Sequence, residues 1–197
     1  SAGSDVIKLL ATGGVMTPGV NPEDAHYTEE ELRVGVDEGH RFHRTCASHA
    51  QGATGILNAV RAGMDSIEHG IFMTQECLEA MLEKGTYLVP TLAAVNNIYI
   101  NRDNGIPDFI VEKTIRVRER HHQSIKMFYE AGGKIAMGTD AGTPFNVHGD
   151  NSQELQFMVD LGISNSDALS FSTADAADLM GLAERVQICE GHNATPL

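Results

Sequence analysis

Five times along this chain of 197 residues, a run suited to a β-strand is followed by a helical pattern. The predicted strands are Val6 to Leu10, Thr45 to His49, Asp65 to His69, Thr86 to Leu92 and Lys134 to Thr139. Thr28 with Glu31 forms a capping-box pattern that opens a helix to about Arg41. Further helices are predicted over Ala53 to Ala62, stopped by Gly63, and over Thr74 to Lys84, stopped by Gly85. A long helix is predicted from its cap at Asp108 to about Ala131. Shorter ones fall near Asn151 to Leu161, Asp167 to Phe171 and Ala174 to Met180. Such alternation implies parallel strands joined by crossover helices. Both the closed (β/α)8 barrel and the open doubly wound sheet satisfy it, and periodicity does not separate them.

Polar residues at the strand ends narrow the choice. Lys8, His49, His69 and Asp140 each sit near the C-terminal end of a different predicted strand. In a β/α barrel those ends form the active-site face, so four such groups converge on one pocket. Neutral imidazoles suit zinc, iron or manganese, and carboxylates suit the harder end of that range. A divalent metal lowers the pKa of a bound water to about 7, and an aspartate beside it can carry the proton to a leaving amine. Taken singly, each residue has a plainer reading: a hydrogen-bonded histidine, a turn aspartate, a lysine reaching to solvent. Their placement on successive strands favours the chemical reading.

The charge balance excludes some functions. With 14 Lys and Arg against 27 Asp and Glu, the chain carries a net charge of −13, which opposes binding to a phosphate backbone. The basic stretch Arg116, Arg118, Arg120 and Lys126 is interleaved with Glu112, Glu119 and Glu130, the pattern of a solvated helix face. No apolar stretch is long enough to span a bilayer and no basic-then-apolar leader opens the chain, so a cytoplasmic protein is expected. Cys46, Cys77 and Cys189 are odd in number and widely spaced, as free thiols in a reducing compartment are. A nucleotide-binding sheet is disfavoured, because Thr12-Gly13-Gly14 lacks both Gly-x-Gly-x-x-Gly and the phosphate-loop Lys-Ser/Thr.

Ile7-Lys8 with Thr12-Gly13-Gly14, Ser48-His49-Ala50, Ser66-Ile67-Glu68-His69-Gly70 and Gly138-Thr139-Asp140-Ala141-Gly142-Thr143-Pro144 occur in this order. Together they resemble the amidohydrolase superfamily, in its imidazolonepropionase-related and prolidase-like branch, over about Asp5 to Leu182. The resemblance implies an α/β fold: part of a TIM (β/α)8 barrel, about strands four to eight with their helices. It implies that Lys8 is the lysine that CO2 carboxylates into a bridging metal ligand. His49 and His69 would hold the second of one or two divalent ions, zinc foremost, with iron or manganese as the other choices. Asp140 would be a ligand of the first ion and the general acid/base. His148 and Asn151 would lie in a loop over the substrate. The implied reaction is hydrolysis of an amide or cyclic-amide C–N bond in a small molecule or dipeptide, of Xaa-Pro or ring-opening type.

The family also carries a His-x-His pair at the end of its first strand, and no such pair precedes Lys8. His121-His122 falls in a helix pattern. His40 and His43 fall at the end of a helix on the opposite side of the barrel, as surface or packing residues. On this reading residues 1–185 are a partial barrel and 186–197 begin a β-sandwich segment, with Ile188 to Ala194 as its faint signature. A chain so composed is expected to be inactive alone, and a non-catalytic fragment is the alternative to a hydrolase. Open strand edges add a homo-oligomer to the expectations, and neither nucleic acid nor membrane is an expected partner.

Overall fold

The computed structural model describes residues 3–185 and residue 190. Four parallel strands, β1 (Val6–Leu10), β2 (Thr45–Ala50), β3 (Ser66–His69) and β4 (Tyr87–Val89), lie side by side in chain order. Between them run α1 (Glu29–Arg41), α2 (Ala53–Ala62) and α3 (Gln75–Lys84). Local sequence sets these boundaries. Thr28 accepts from the Glu31 amide while the Glu31 carboxylate accepts from the Thr28 amide, so α1 begins with a full capping box. α2 and α3 stop at Gly63 and Gly85, both left-handed, with φ of 98° and 68°.

One core joins sheet to helices. Ile67 and Leu88 are register partners on β3 and β4, and both are wholly buried with Ile56, Met81, Ile125, Phe128 and Met158. Burying each such side chain is worth about 1.5–3 kcal/mol. The second half of the chain is helical: α4 (Leu92–Ile100), α5 (Asp108–Glu130), α6 (Ser152–Asp160), α7 (Asn165–Ser172) and α8 (Ala174–Leu179), then a 3-10 turn at Ala183–Arg185.

Three elements differ from the sequence expectations. The fourth strand stops at Val89, because Pro90 supplies no N–H for the ladder and Thr91 turns left-handed at φ 53°. Leu92, expected as the last residue of the strand, therefore starts α4, a helix absent from the sequence expectations. Its residues Leu92 to Ile98 are all buried, so it lacks the polar face that marks an amphipathic helix. The segment expected as a strand over Lys134 to Thr139 makes a single parallel bridge, Ile135 with Leu88. Its neighbour Met137 gives its amide to the Phe171 carbonyl of α7 instead, which draws the chain off the sheet. The expected sandwich signature, Ile188 to Ala194, lies outside the described residues apart from Glu190. No helix among the described residues is long and apolar enough to cross a membrane.

Candidate functional site

His49 and His69 stand near the C-terminal ends of neighbouring strands. Their rings meet edge to face, with centroids 4.6 Å apart and planes at 71°. Both line a cavity of about 220 Å³. Hydrogen bonds fix which nitrogen of each ring carries the proton. His49 Nε2 lies 2.9 Å from the Gly13 carbonyl, which only accepts, so Nε2 holds the proton and Nδ1 is bare. His69 Nδ1 lies 2.6 Å from Thr91 Oγ1. The single Thr91 proton goes to the Pro90 carbonyl at 2.7 Å, so Thr91 accepts from His69, and His69 Nε2 is bare.

Burial favours the neutral form of both rings. Burial pushes His49 below the usual histidine range; the Gly13 carbonyl opposes this, Lys8 adds to it and Asp140 offsets part of it. His69 is held well below that range by burial first, then by His49, His121 and Lys8. Two neutral imidazoles, each with one unprotonated nitrogen, fit a borderline divalent metal.

Asp140 is exposed and lines the same cavity. Its backbone is left-handed at φ 53°, and buried Asn146 holds it there by donating to the carbonyls of Thr139 and Asp140 at 2.7 and 3.1 Å. His69, at φ 73°, and Thr91 are also left-handed, at the end of β3 and just beyond β4. Such conformations cost about 1–3 kcal/mol each and gather where a side chain must be aimed.

The cavity walls are apolar. One wall is the loop after β1, with Val15, Met16 and Val20; another is α4, with Ala94, Val95 and Ile98. Thr12 ties that loop to the sheet: its hydroxyl accepts from the Gln51 amide at 3.0 Å and donates to the Gly13 carbonyl at 2.9 Å. From outside, Lys113 of α5 donates to the carbonyls of Thr17 and Val20 at 2.7 and 2.6 Å, and Arg116 reaches Asn21 and Glu23 at 2.8 and 3.1 Å. Gln51 Oε1 and Thr114 Oγ1 are buried cavity-lining oxygens without a hydrogen-bond partner among the described residues. The sequence reading missed Thr91, Asn146, Gln51 and Thr114, since polar residues inside loops and helices carry no periodic signal.

Lys8 shares a sheet face with His49, because Lys8 pairs with Ala47 and Leu10 pairs with His49 in register. It does not line the cavity; its ammonium lies 3.5 Å from Glu68, the register partner of His49, and its side chain is half-exposed. His148 and Asn151 are exposed and are not brought to the cavity wall. His121 is buried in α5 and donates to the Pro90 carbonyl at 2.8 Å; burial is the first cause that pushes it down to about 3. His122 reaches Asn96 at 3.1 Å.

A second group, His40, Cys46 and Asp65, places one ligand-type atom each within 4.8 Å of the others. It lies at the N-terminal ends of β2 and β3, away from His49 and His69. Asp65 Oδ2 already accepts from the Cys46 amide at 2.7 Å and pairs with His40 at 2.8 Å. Burial, with the Asp65 charge, pushes the Cys46 thiol up to about 11. The three residues form a latch between α1 and the sheet.

A parallel sheet with crossover helices and two histidines meeting at its strand ends defines a β/α protein with a strand-end site. Residues 1–195 match the family described as "Amidohydrolase family", and the chain belongs to it. It is 33% identical to the ochratoxinase of Aspergillus niger over 98% of its own length and 40% of that protein's. Among solved structures it resembles a Xaa-Pro dipeptidase with methionine bound in the active site, at 35% identity and a TM-score of 0.86. That match covers 93% of this chain and 45% of the other. A prolidase complexed with N-methylphosphonate-L-proline matches at 27% identity and TM-score 0.85, over 96% and 46%. The chain thus spans less than half the length of these relatives, and its α/β architecture is part of their barrel.

Proposed function

We propose that this chain forms the second-metal and proton-transfer side of a metal-dependent hydrolase that cleaves an amide C–N bond. The observation that carries this reading is the meeting of His49 and His69, each with one bare nitrogen, above a cavity bordered by Asp140. A divalent ion, zinc by its match to imidazole, would polarise the carbonyl under attack and acidify the attacking water. His49 would bind it through Nδ1 and His69 through Nε2. Lys8, carboxylated by CO2, is the proposed third donor, and it must then leave its ion pair with Glu68. Asp140 takes the proton of the attacking water and delivers it to the departing nitrogen, a role that suits an exposed carboxylate at the cavity border. The apolar walls exclude other water and favour a substrate with an apolar side chain. The similarity to a Xaa-Pro dipeptidase and a prolidase supports dipeptides as the substrate class. His148 and Asn151 are proposed to reach such a substrate from outside the cavity. Residues 1–185 are proposed as the barrel part and 186–197 as the start of a further segment.

The test is a zinc titration of the chain, followed by assays of dipeptide and N-acyl amino acid hydrolysis by the enzyme that contains it. Zinc binding that His69→Ala abolishes, and turnover that Asp140→Asn abolishes, are the expected results. Tight zinc binding that survives both His49→Ala and His69→Ala would overturn the reading.

A further inference from the structure

Thr91 stands at the N-cap of α4, where a threonine ordinarily turns its oxygen back to accept an amide of the first helical turn. It makes no such bond here. The Leu92 and Ala93 amides are taken instead by the two carboxylate oxygens of Glu154, at 2.7 Å each. Glu154 comes from α6, far along the chain, and is wholly buried. We propose that Glu154 is a positioning residue for His69: it caps α4 in place of Thr91, and the freed Thr91 hydroxyl locks His69 in the tautomer that presents a bare Nε2.

Three observations support the exchange of caps. A buried carboxyl is a costly cap, and a threonine already at the N-cap position could serve the Ala93 amide without that cost. Thr91 is left-handed at φ 53°, whereas an N-cap that bonds its own helix is extended. A β-branched residue stays in that region only when its surroundings hold it there. Finally, every proton in the relay has a destination. His69 Nδ1–H goes to Thr91 Oγ1 at 2.6 Å, and the Thr91 proton goes to the Pro90 carbonyl at 2.7 Å. The His121 Nε2 proton fills the second acceptor position of that carbonyl at 2.8 Å. Without Glu154 the two amides would be orphaned, and Thr91 would relax to an extended conformation and serve the Ala93 amide. His69 would then lose the acceptor that fixes its proton.

The proton placement stands on hydrogen bonds alone, whereas its effect on metal affinity rests on the reading of His69 as a ligand. The experiment separates the two. Nitrogen-15 NMR of the metal-free chain reports which nitrogen of His69 is protonated, and a zinc titration reports affinity. Wild type and Thr91→Ser, which keeps the hydroxyl, should show the proton on Nδ1. Glu154→Ala and Thr91→Val should show mixed tautomers and bind zinc about ten- to a hundredfold more weakly. The double variant should be no worse than Thr91→Val alone, because both changes act through one hydroxyl. A Glu154→Ala protein with the wild-type tautomer overturns the proposal. So does a proton on Nε2 in wild type, a result that needs no variant to fold. An intact tautomer pattern without zinc binding leaves the positioning role standing and sinks the metal reading.

Discussion

His49 and His69 come from neighbouring strands and meet with ring centroids 4.6 Å apart, although their backbones are not register partners: His49 pairs with Glu68, and His69 with Ala50. Successive residues of a strand face opposite sides of the sheet, so a regular β3 would turn His69 away from His49. The left-handed turn at His69, followed by Gly70 at φ 62°, swings the ring to the cavity side. Gly70→Ala should therefore damage the site from outside it. The added Cβ would come within 2.7 Å of Leu88 Cδ1 in a conformation that favours glycine. A loss of about 1–3 kcal/mol in chemical denaturation is expected, together with weaker zinc binding. Unchanged values of both would refute the account of the turn.

Acid should unfold this protein through its buried histidines. The folded state holds His121 at about 3 against an ordinary value near 6.5, and it lowers His49 and His69 in the same direction. A lowered histidine contributes stability that is fully present above pH 6.5 and is lost as pH falls toward the folded value. Unfolding then takes up one proton per such histidine, about 1.4 kcal/mol per pH unit for each. His121→Gln keeps a donor for the Pro90 carbonyl and removes one titrating group. Its stability should fall less steeply than wild type between about pH 6.5 and 3, and parallel curves would contradict this.

Asp140→Asn keeps the size of the side chain and removes its basicity. On the proposed mechanism, turnover should fall by about 10²–10⁴-fold with the fold unchanged. Asn146→Ala frees the carbonyls of Thr139 and Asp140 and releases the Asp140 backbone from φ 53°. It should lower turnover in the same direction by a smaller factor. Normal rates in both variants would remove Asp140 from the mechanism.

Gly13→Ala tests the loop wall. A Cβ there would meet Val20 Cγ1 at 2.2 Å and the Asn21 carbonyl oxygen at 2.4 Å. The segment around Val20 must move outward, which opens the cavity on that side. Binding of an apolar substrate analogue should weaken more than zinc binding does, and the reverse order would show that the loop is not a wall of the substrate site.

Much of this architecture was legible in local sequence signals. Thr28 with Glu31, and Gly63 and Gly85, mark helix ends through contacts within one turn, and His49 and His69 stand out because each closes a short strand. What stayed hidden was long-range. Glu154 reads as an ordinary helix residue, and its partners, the Leu92 and Ala93 amides, lie 62 and 61 positions away. The helix those amides open was hidden too, because it is buried from Leu92 to Ile98 and shows no amphipathic pattern. The short pairing of Ile135 was not visible either, since the competitor for the Met137 amide is the Phe171 carbonyl, a backbone group present in any sequence.

The loop wall is fastened to α5 by two kinds of bond, and they respond differently to dissolved salt. The Arg116 contact with Glu23 is an exposed ion pair at 3.1 Å, of the sort that screening weakens. The Lys113 bonds to the carbonyls of Thr17 and Val20 involve no opposite charge and persist. Rising ionic strength therefore weakens the fastening at Glu23, while the Arg116 bond to Asn21 and the Lys113 bonds hold the loop. A modest shortening of the residence time of a bound molecule with added salt is the expected outcome, even for a ligand that carries no charge.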